Sequence, residues 1–281
     1  MSNTAFKVIL CIGVLPLLSC RSAHLRTQPG ANGPAVSTFA WPPGKRAAVS
    51  LSFDDARASQ LDAGIPILNE YGVRATFYVS MDGLEKRLAD WKAVAAAGYE
   101  IGNHSMRHPC TGNFPWSRQK ALEDYTLAQM AAELDTANAK IESLLGVHPV
   151  TYAYPCGQKY VGCGEQTRSY VPLVAKRFLA GRGWRDEGAN DPAFCDPAQL
   201  MTIEFDGLTF EQLKVLVDET SKSGFWLVLC GHDIGPGGRQ TTRVDTLRAF
   251  CEYAHDPANG LWVDTVANVA RYVRNQRAAR K

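Results

Sequence analysis

The chain has 281 residues, of which 46% are hydrophobic and 21% charged, and its formal net charge is +2. This composition is typical of a folded globular protein with enough apolar material for one large core. The weak net charge, with lysines and arginines that form no continuous stripe, argues against nucleic acid as a partner.

The first twenty residues differ in character from the rest of the chain. Lys7 precedes the apolar run 8–19, which is too short to span a bilayer and is typical of the hydrophobic region of a signal peptide. Leu17-Leu18-Ser19-Cys20 also resembles a bacterial lipobox, whose cysteine carries a lipid. We therefore expect residues 1–20 to direct export to the bacterial periplasm, cell envelope or outer surface. Lipid anchoring through Cys20 and plain secretion remain alternatives.

The remaining chain divides into a predicted tether, residues 21–40, and a predicted domain, residues 41–278. The tether is rich in Ser, Thr, Gln, Pro, Gly and Asn and has no apolar periodicity. Within the domain, short β-branched or aromatic runs alternate with longer helical patterns. The predicted strands are 47–53, 74–79, 99–102, 149–154, 178–182, 225–230 and 261–263. The predicted helices are 59–70, 84–97, 121–146, 167–177, 207–221, 241–254 and 264–278. This alternation predicts one α/β domain with a parallel sheet.

Polar residues interrupt this pattern where predicted strands end. Asp54 and Asp55 follow the first strand, His104 the third, Tyr154 ends the fourth, and His232 follows a later apolar strand. Because the carboxyl ends of parallel strands open at one mouth, we expect these residues to converge although they span the chain.

Two histidines and an acidic strand end make a candidate metal site. His104 and His108 lie four positions apart, and the adjacent carboxylates of Asp54 and Asp55 end the first strand. One carboxylate with two imidazoles is a ligand set for a divalent metal ion. Three protein ligands leave a coordination position open, which is typical of a catalytic site rather than a structural one.

Six cysteines lie within the predicted domain, apart from Cys11 and Cys20 near the start of the chain. No CxxC pair is present, which argues against a zinc ribbon, and export favours disulfides. Sequence alone does not choose among the pairings. Cys156 and Cys163, which bracket a glycine-rich loop, are the pair that we expect first.

The two motifs resemble those of a known family. Ser52-Phe53-Asp54-Asp55-Ala56 is similar to the T-F-D-D-G motif, and His104-Ser105-Met106-Arg107-His108 matches the H-[ST]-x-x-H motif, of the polysaccharide deacetylases of the NodB homology type, carbohydrate esterase family 4. The resemblance covers residues 41–275 and includes a late Leu-x-His-like element at Cys230-Gly231-His232. It implies a distorted (β/α) barrel of about seven parallel strands in a single domain.

The resemblance also implies a role for each matching residue. Asp55, His104 and His108 would bind one divalent metal ion, most often Zn²⁺, with Co²⁺, Ni²⁺ or Mn²⁺ as alternatives. The ion would lower the pKa of its water toward about 7 and share the charge of the oxyanion. Asp54 would be the general base that takes a proton from this water. His232 would be the general acid that protonates the departing amine or alkoxide.

The family's third motif is altered in this chain. The pattern R-x-P-[FY] reads Ala153-Tyr154-Pro155-Cys156, so the arginine that orients the catalytic aspartate is missing from its place. We expect Arg182, at the end of the fifth strand, to supply the guanidinium as part of the catalytic group, with an ordinary surface arginine as the alternative. Tyr154, Pro155 and Cys156 are expected at the substrate site, where the N–H of Cys156 could serve the oxyanion without a side chain.

The fourth motif, D-x-x-D-W, has no clear counterpart. Asp206 and Asp191 are candidates for the carboxylate that tunes His232. Four aromatic residues are candidates for sugar-stacking walls, with burial in the core as the alternative: Phe114, Trp116, Tyr154 and Trp184.

Together these features predict an exported, metal-dependent hydrolase that removes acetyl groups from an N- or O-acetylated carbohydrate. Two alternatives remain. One is hydrolysis of another small amide or ester on the same scaffold, since the altered third motif reshapes the pocket. The other is a carbohydrate-binding lipoprotein without turnover, against which the intact set of acidic and histidine residues argues. Membrane contact is expected only through an N-terminal lipid anchor.

Overall fold

The sheet is organised around its first strand, Ala47–Asp54, in which every residue is buried. A strand covered on both faces belongs in the interior of a parallel sheet, and this one has neighbours along both edges. The computed structural model describes residues 39–280, so the predicted signal peptide and nearly all of the predicted tether lie outside the described residues. Within residues 39–280, no helix combines the length and the apolarity that crossing a membrane requires.

Twelve strands are present in the described residues, and eight of them make the main sheet. In chain order they are β1 (Ala47–Asp54), β2 (Thr76–Val79), β3 (Glu100–Asn103), β4 (Thr151–Ala153), β5 (Tyr160–Val161), β6 (Arg168–Ser169), β7 (Ala180–Arg182), β8 (Ile203–Glu204), β9 (Trp226–Gly231), β10 (Asp233–Gly235), β11 (Thr241–Arg243) and β12 (Leu261–Val263). Seven run in the order β7-β4-β3-β2-β1-β9-β8, and β12 pairs with the first half of β1. All neighbouring pairs in the main sheet are parallel.

The two ends of the sheet curl toward each other. Leu200, just before β8, forms a parallel bridge with Arg182 in β7. Its N–H donates to the carbonyl of Gly181 at 2.8 Å, and its carbonyl accepts from the N–H of Gly183 at 2.9 Å. The predicted distorted (β/α) barrel of about seven parallel strands is therefore confirmed.

Eight α-helices surround the sheet in the described residues. They are α1 (Ile65–Glu70), α2 (Met81–Lys86), α3 (Leu88–Ala96), α4 (Leu127–Leu145), α5 (Val171–Arg177), α6 (Phe210–Ser223), α7 (Val244–His255) and α8 (Val266–Ala279). The longest, α4, begins at a capping box of Thr126 and Gln129 and ends at Gly146, whose φ of 71° is left-handed. Gly146 was predicted as this C-cap, and the prediction is confirmed.

Several predicted boundaries differ from the observed ones for local reasons. The predicted helix 84–97 is two helices, because Arg87 at φ −130° interrupts the helical backbone. The predicted helix 121–146 begins later, where Thr126 caps it. Arg168–Ser169 and Thr241–Arg243, predicted as helix starts, are instead strands that pair with β5 and β10. These strands are too short to show a period of two in the sequence.

Alternation along β1 decides which side chains face the barrel interior. Val49, Leu51 and Phe53 belong to the large apolar core that the helices cover. Ser52 and Asp54 alternate with them and point the other way, and the Ser52 hydroxyl donates to the carbonyl of Leu229 at 2.7 Å. Small polar residues on this face leave space inside the barrel. The sequence of β1 therefore directs Asp54 inward at the carboxyl end of the strand.

Candidate active site

The polar strand ends meet around one open cavity of about 1070 Å³. Asp54, Asp55, His104, Cys156 and His232 line it, and they come from the ends of four different strands. Parallel strands account for this convergence, because every carboxyl end opens on the same side of the sheet.

Asp55, His104 and His108 form a compact group of potential metal ligands. The two Nε2 atoms of the histidines are 3.1 Å apart, and each lies 3.7 Å from Oδ1 of Asp55. Ligands of a tetrahedral zinc ion with bonds of roughly 2.1 Å are about 3.4 Å apart, so these separations fit such an ion. The donor set of two imidazoles and a carboxylate is also chemically suited to a divalent transition metal.

Surrounding groups hold these ligands in the form that a metal requires. Nδ1 of His104 lies 2.9 Å from the carbonyl of Ala153, which can only accept, so Nδ1 carries the proton and Nε2 keeps its lone pair. Burial lowers the pKa of His108 to about 4, so this imidazole is neutral near pH 7. Burial alone would raise the pKa of Asp55, but both histidines outweigh it and lower that pKa.

Arg57 neutralises the other oxygen of Asp55. Its Nη2 is 2.9 Å from Oδ2 of Asp55, while its Nη1 is 2.7 Å from Asp233 and so links the end of β1 to β10. Sequence reasoning missed Arg57. Its place two residues after the acidic pair was a usable signal, because a cation beside adjacent carboxylates relieves their repulsion.

Asp54 is paired with Arg182 inside the barrel. Arg182 is 0% exposed, its Nη2 donates to Oδ1 of Asp54, and its guanidinium lies 4.6 Å from the ring centre of Tyr78. Burial would raise the pKa of Asp54, but the charges of Arg182 and nearby histidines hold it well below its usual range. The alternative of an ordinary surface arginine is wrong. Arg182 reaches the carboxylate that the missing motif arginine was expected to orient.

Two further buried side chains support Asp54, and neither was singled out from the sequence. The Cys230 thiol donates to Oδ2 of Asp54 at 3.3 Å. The Gln60 amide donates to the carbonyls of Asp54 at 2.6 Å and His232 at 2.8 Å, which ties the ends of β1 and β9 together. The contacts of Gln60 with His232 and of Cys230 with Asp54 join residues 172 and 176 positions apart, so the sequence carried no signal for them.

His232 and Asp206 form a hydrogen-bonded pair at the other side of the cavity. Nδ1 of His232 is 2.6 Å from Oδ2 of Asp206, and Asp206 also accepts from the backbone N–H of His232 at 3.1 Å. Burial would lower the pKa of His232, but Asp206 and Asp54 outweigh it and raise that pKa. Asp191, the other candidate, accepts from the N–H of Ala193 instead.

The turn that replaces the third motif differs from expectation. A disulfide joins Cys156 to Cys110, and Cys163 is free and exposed, so the expected Cys156–Cys163 pairing is wrong. The reason is topological, because β3 and β4 are neighbours and the loops that follow them meet. Cys156 lines the cavity with a left-handed φ of 55°, whereas Pro155 is buried and not among the lining residues.

The four candidate aromatic residues fall into different environments. Trp116 and Phe114 are 56% and 40% exposed and stack on each other at 5.5 Å beside His108. The Trp184 ring meets that of His232 edge to face at 5.4 Å. Tyr154 also borders the cavity, but it is 1% exposed and its hydroxyl donates to the carbonyl of Ala198 at 2.7 Å, which makes its ring unsuitable as a stacking wall.

Replacing Arg182 by methionine is expected to lower the free energy of unfolding by about 3 to 5 kcal/mol, because it leaves the buried carboxylate of Asp54 without its partner. Arg177→Met is the matched control, since its partner Asp135 is exposed, and it should cost less than about 1 kcal/mol. Urea unfolding measures both. An Asp54→Asn/Arg182→Met double variant should be more stable than Arg182→Met alone. Equal losses in the two single variants would contradict the buried pair.

Replacing Asp206 by asparagine is expected to shift the titration of His232 to lower pH. The carboxylate raises the pKa of His232, so its removal lowers that pKa and the imidazole loses its proton at lower pH. NMR titration of the histidine ring protons measures the midpoint, with His232→Gln to assign the resonance. Asp191→Asn should leave the midpoint in place. An unchanged midpoint in Asp206→Asn would show that this carboxylate does not tune His232.

Comparison with known proteins gives a family match and two partial relatives. Residues 42–170 match the family model described as polysaccharide deacetylase. The uncharacterized protein YlxY of Bacillus subtilis (strain 168) is 32% identical over 97 residues, which are 34% of this chain and 27% of that protein. A gellan lyase from Bacillus sp is 29% identical over 143 residues, which are 51% of this chain and 5% of that protein. The chain thus spans a minor part of either relative.

Solved structures share the fold at low sequence identity. A proposed polysaccharide deacetylase from Mycobacterium smegmatis superposes with a TM-score of 0.62 at 20% identity, covering 87% of this chain and 95% of that one. Puue allantoinase superposes with a TM-score of 0.60 at 16% sequence identity, and the match covers 84% of this chain and 92% of that one. A family 4 acetyl xylan esterase from Clostridium thermocellum, in complex with a cobalt ion, superposes with a TM-score of 0.52 at 21% sequence identity. This match covers 80% of this chain and 91% of that one.

The family match begins just before β1 and continues into the β5–β6 hairpin, so it includes the acidic pair, both histidines and the altered third motif. The likeness in fold to the Mycobacterium smegmatis structure covers 87% of this chain and so extends beyond residue 170. Residues 42–170 of this chain are thus similar to the polysaccharide deacetylase family, the family that its two motifs resemble.

Proposed function

We propose that this protein is a metal-dependent hydrolase that removes acetyl groups from an N- or O-acetylated carbohydrate. One observation carries the proposal: two aspartates and three histidines meet around one cavity. Asp54 is paired with Arg182, and His232 is paired with Asp206. The match of residues 42–170 to the polysaccharide deacetylase family model supports the same class of reaction.

Asp55, His104 and His108 would hold a divalent metal ion, with Zn²⁺ favoured by the ligand types. When bound, such an ion supplies Lewis-acid chemistry, lowering the pKa of water and polarising a carbonyl group. The residues' own contribution near pH 7 is a neutral imidazole at His108 and an ionised carboxylate at Asp55, as the lowered pKa values of these two residues favour.

Asp54 would act as the general base. Arg182 occupies its Oδ1, so Oδ2, which lies 3.8 Å from Nε2 of His104, is the oxygen that would take a proton from the attacking water. Its lowered pKa keeps it ionised at neutral pH. The fixed guanidinium prevents the carboxylate from rotating, which orients the base toward the cavity.

His232 would act as the general acid. Its Nδ1 proton is held by Asp206, so Nε2 is the atom that would deliver a proton to the departing amine or alkoxide. The raised pKa of His232 increases its protonated fraction near neutral pH, which suits an acid. The N–H of Cys156, at the edge of the same cavity, would stabilise the negative charge that develops on the acetyl oxygen.

The stacked, exposed rings of Trp116 and Phe114 support a carbohydrate as substrate. Flat aromatic surfaces at a cavity mouth suit the apolar faces of sugar rings, and these two lie beside the metal ligand His108. Trp184, beside His232, would bound the opposite side of the bound sugar.

A second candidate is hydrolysis of a small amide. An allantoinase shares this fold with a TM-score of 0.60, and the disulfide-linked turn at Cys156 gives this chain a pocket wall that the family motif does not have. A carbohydrate-binding protein without turnover is the remaining alternative, and the complete set of polar groups argues against it.

We also propose that the protein is exported, by a signal peptide in residues 1–20, and is either secreted or lipid-anchored at Cys20. The apolar run 8–19 supports a signal peptide, and the Cys110–Cys156 disulfide supports an oxidising compartment. Mass spectrometry of protein from the cell envelope and medium would identify the mature N-terminus. An unprocessed N-terminus on protein confined to the cytoplasm would contradict export.

Acetate release tests the enzymatic proposal. The metal-loaded protein is expected to release acetate from at least one of acetylated chito-oligosaccharides, acetylated xylan and peptidoglycan. A chelator should abolish the activity and Zn²⁺ should restore it. Asp54→Asn should lower kcat by about 10² or more, because the base is lost. Asp135→Asn, an exposed carboxylate on α4, is the control and should retain full activity.

The contrary outcomes separate the alternatives. Glycan binding without acetate release would favour the binding protein, and hydrolysis of allantoin alone would favour the small-amide enzyme. Full activity and full metal content in His104→Ala would overturn the ligand assignment. A melting curve of each variant excludes unfolding as the cause of a loss.

A further inference from the structure

The Cys110–Cys156 disulfide joins two loops that each carry a residue of the proposed reaction. Cys110 lies two residues after the ligand His108, and Cys156 supplies the N–H proposed for the oxyanion. The bond spans 46 residues of sequence and connects the loop after β3 to the turn after β4. Its place between two functional loops distinguishes it from a disulfide that only closes a surface loop.

The sulfur of Cys110 lies directly against the metal-ligand imidazole. Its Sγ is 3.7 Å from Nδ1 of His108. For His104 the corresponding nitrogen has a backbone carbonyl as its partner, at Ala153. Groups on the far side of a metal-bound histidine normally set its ring orientation. Among residues 39–280, the disulfide sulfur of Cys110 is the atom that contacts Nδ1 of His108.

The backbone on both sides of the disulfide is held in conformations that need support. His108 has a φ of 54° and Cys156 a φ of 55°, in the left-handed region that side-chain-bearing residues rarely adopt. Such conformations persist only where the surroundings enforce them. A covalent link between the two loops is a direct means of enforcement.

The end of the disulfide at Cys110 is itself fixed. Cys110 is fully buried, its N–H donates to Oγ of Ser117 at 3.0 Å, and the Ser117 hydroxyl donates to its carbonyl at 2.8 Å. Beside it, the N–H of Thr111 donates to the side-chain oxygen of Gln158 at 2.8 Å, a second link between the same loops. The disulfide therefore anchors the turn at Cys156 to a rigid position.

We propose that the Cys110–Cys156 disulfide is a positioning element of the active site, which seats the His108 imidazole for metal binding and fixes the turn that presents the N–H of Cys156. This inference rests on the proposed function. It explains how a chain without the aromatic residue of the third motif keeps that turn in place. Its consequence is that breaking the bond weakens metal binding and turnover together.

The test compares wild type with the Cys110→Ala/Cys156→Ala variant. Alanine is used because free thiols at these positions would form a rival ligand group with His108. The Zn²⁺ dissociation constant, measured by competition with a chromophoric chelator, should rise about 10-fold or more. At saturating metal, kcat for acetate release should fall about 10-fold or more, with a smaller change in KM. Cys163→Ala, which removes an exposed free thiol from the nearby hairpin, should match wild type.

Metal affinity and kcat decide the outcome, because any lost disulfide lowers the melting temperature. A folded double variant with wild-type metal affinity and kcat would overturn the inference, as would non-reducing peptide mass spectrometry that finds no link between Cys110 and Cys156. If wild type binds metal and releases acetate while the variant equals it, only this inference fails. If wild type does neither, the proposed function fails first.

If the double variant does not fold, reduction of the folded wild type can still overturn the inference, although a loss of turnover would also follow from metal binding by the released thiols beside His108. A water-soluble trialkylphosphine and one water molecule convert the disulfide to two thiols: the S–S bond breaks, the water oxygen is transferred to phosphorus, and its two protons go to the sulfurs. Turnover at saturating metal should fall after reduction and recover after reoxidation, whereas Cys163→Ala should respond as wild type does. Full kcat in the reduced protein would overturn the inference.

Discussion

The buried contact between Asp54 and Arg182 is the constraint on which the rest of the site depends. β1 and β7 are separated by three strands in the sheet, so this ion pair crosses the barrel interior. Two buried charges are tolerated only when each compensates the other, and removal of one leaves an expensive unpaired charge. The pair therefore fixes the distance between opposite sides of the barrel mouth. Replacing such a pair with apolar residues often leaves stability unchanged, so net stability is not the evident benefit of the pair. Its benefit is that it holds Asp54 in a single orientation.

Adjacent carboxylates can have different functions here because the strand ends between them. Asp54 is still part of β1 and points inward to Arg182 and Cys230. Asp55 adopts a left-handed φ of 75°, which turns its side chain toward the histidines and Arg57. Each carboxylate therefore has its own cation, and their mutual repulsion is offset separately. Asp54 thus faces the barrel interior, and Asp55 faces the two histidines.

Periodicity and motif spacing were sufficient to predict the central architecture. The hydrophobic run at β1 predicted its position within one residue, and the strand-end pattern predicted that Asp55, His104 and His108 would lie close together. The Cys110–Cys156 bond and the choice of Asp206 over Asp191 could not be read from the sequence. They depend on which loops meet in the folded chain, and the contacting residues are 46 and 26 positions apart. Short strands such as β8 and β11 were missed because two or three residues cannot display a period.

Two departures from the family pattern lie at the third motif, and each has a physical replacement from elsewhere in the chain. The guanidinium absent from the end of β4 is supplied by Arg182 at the end of β7, the neighbour of β4 in the sheet. Although Arg182 lies one strand away from the motif position, its guanidinium still reaches Asp54. The aromatic ring absent at position 156 is replaced by a covalent bond to the loop that carries His108. What the site conserves is thus the position of charge and backbone around Asp54 and His108, rather than the residues at fixed motif positions. The freedom to change lies in the cavity wall at Cys156, because a different side chain there alters the shape of the cavity while leaving Asp54 and His108 in place.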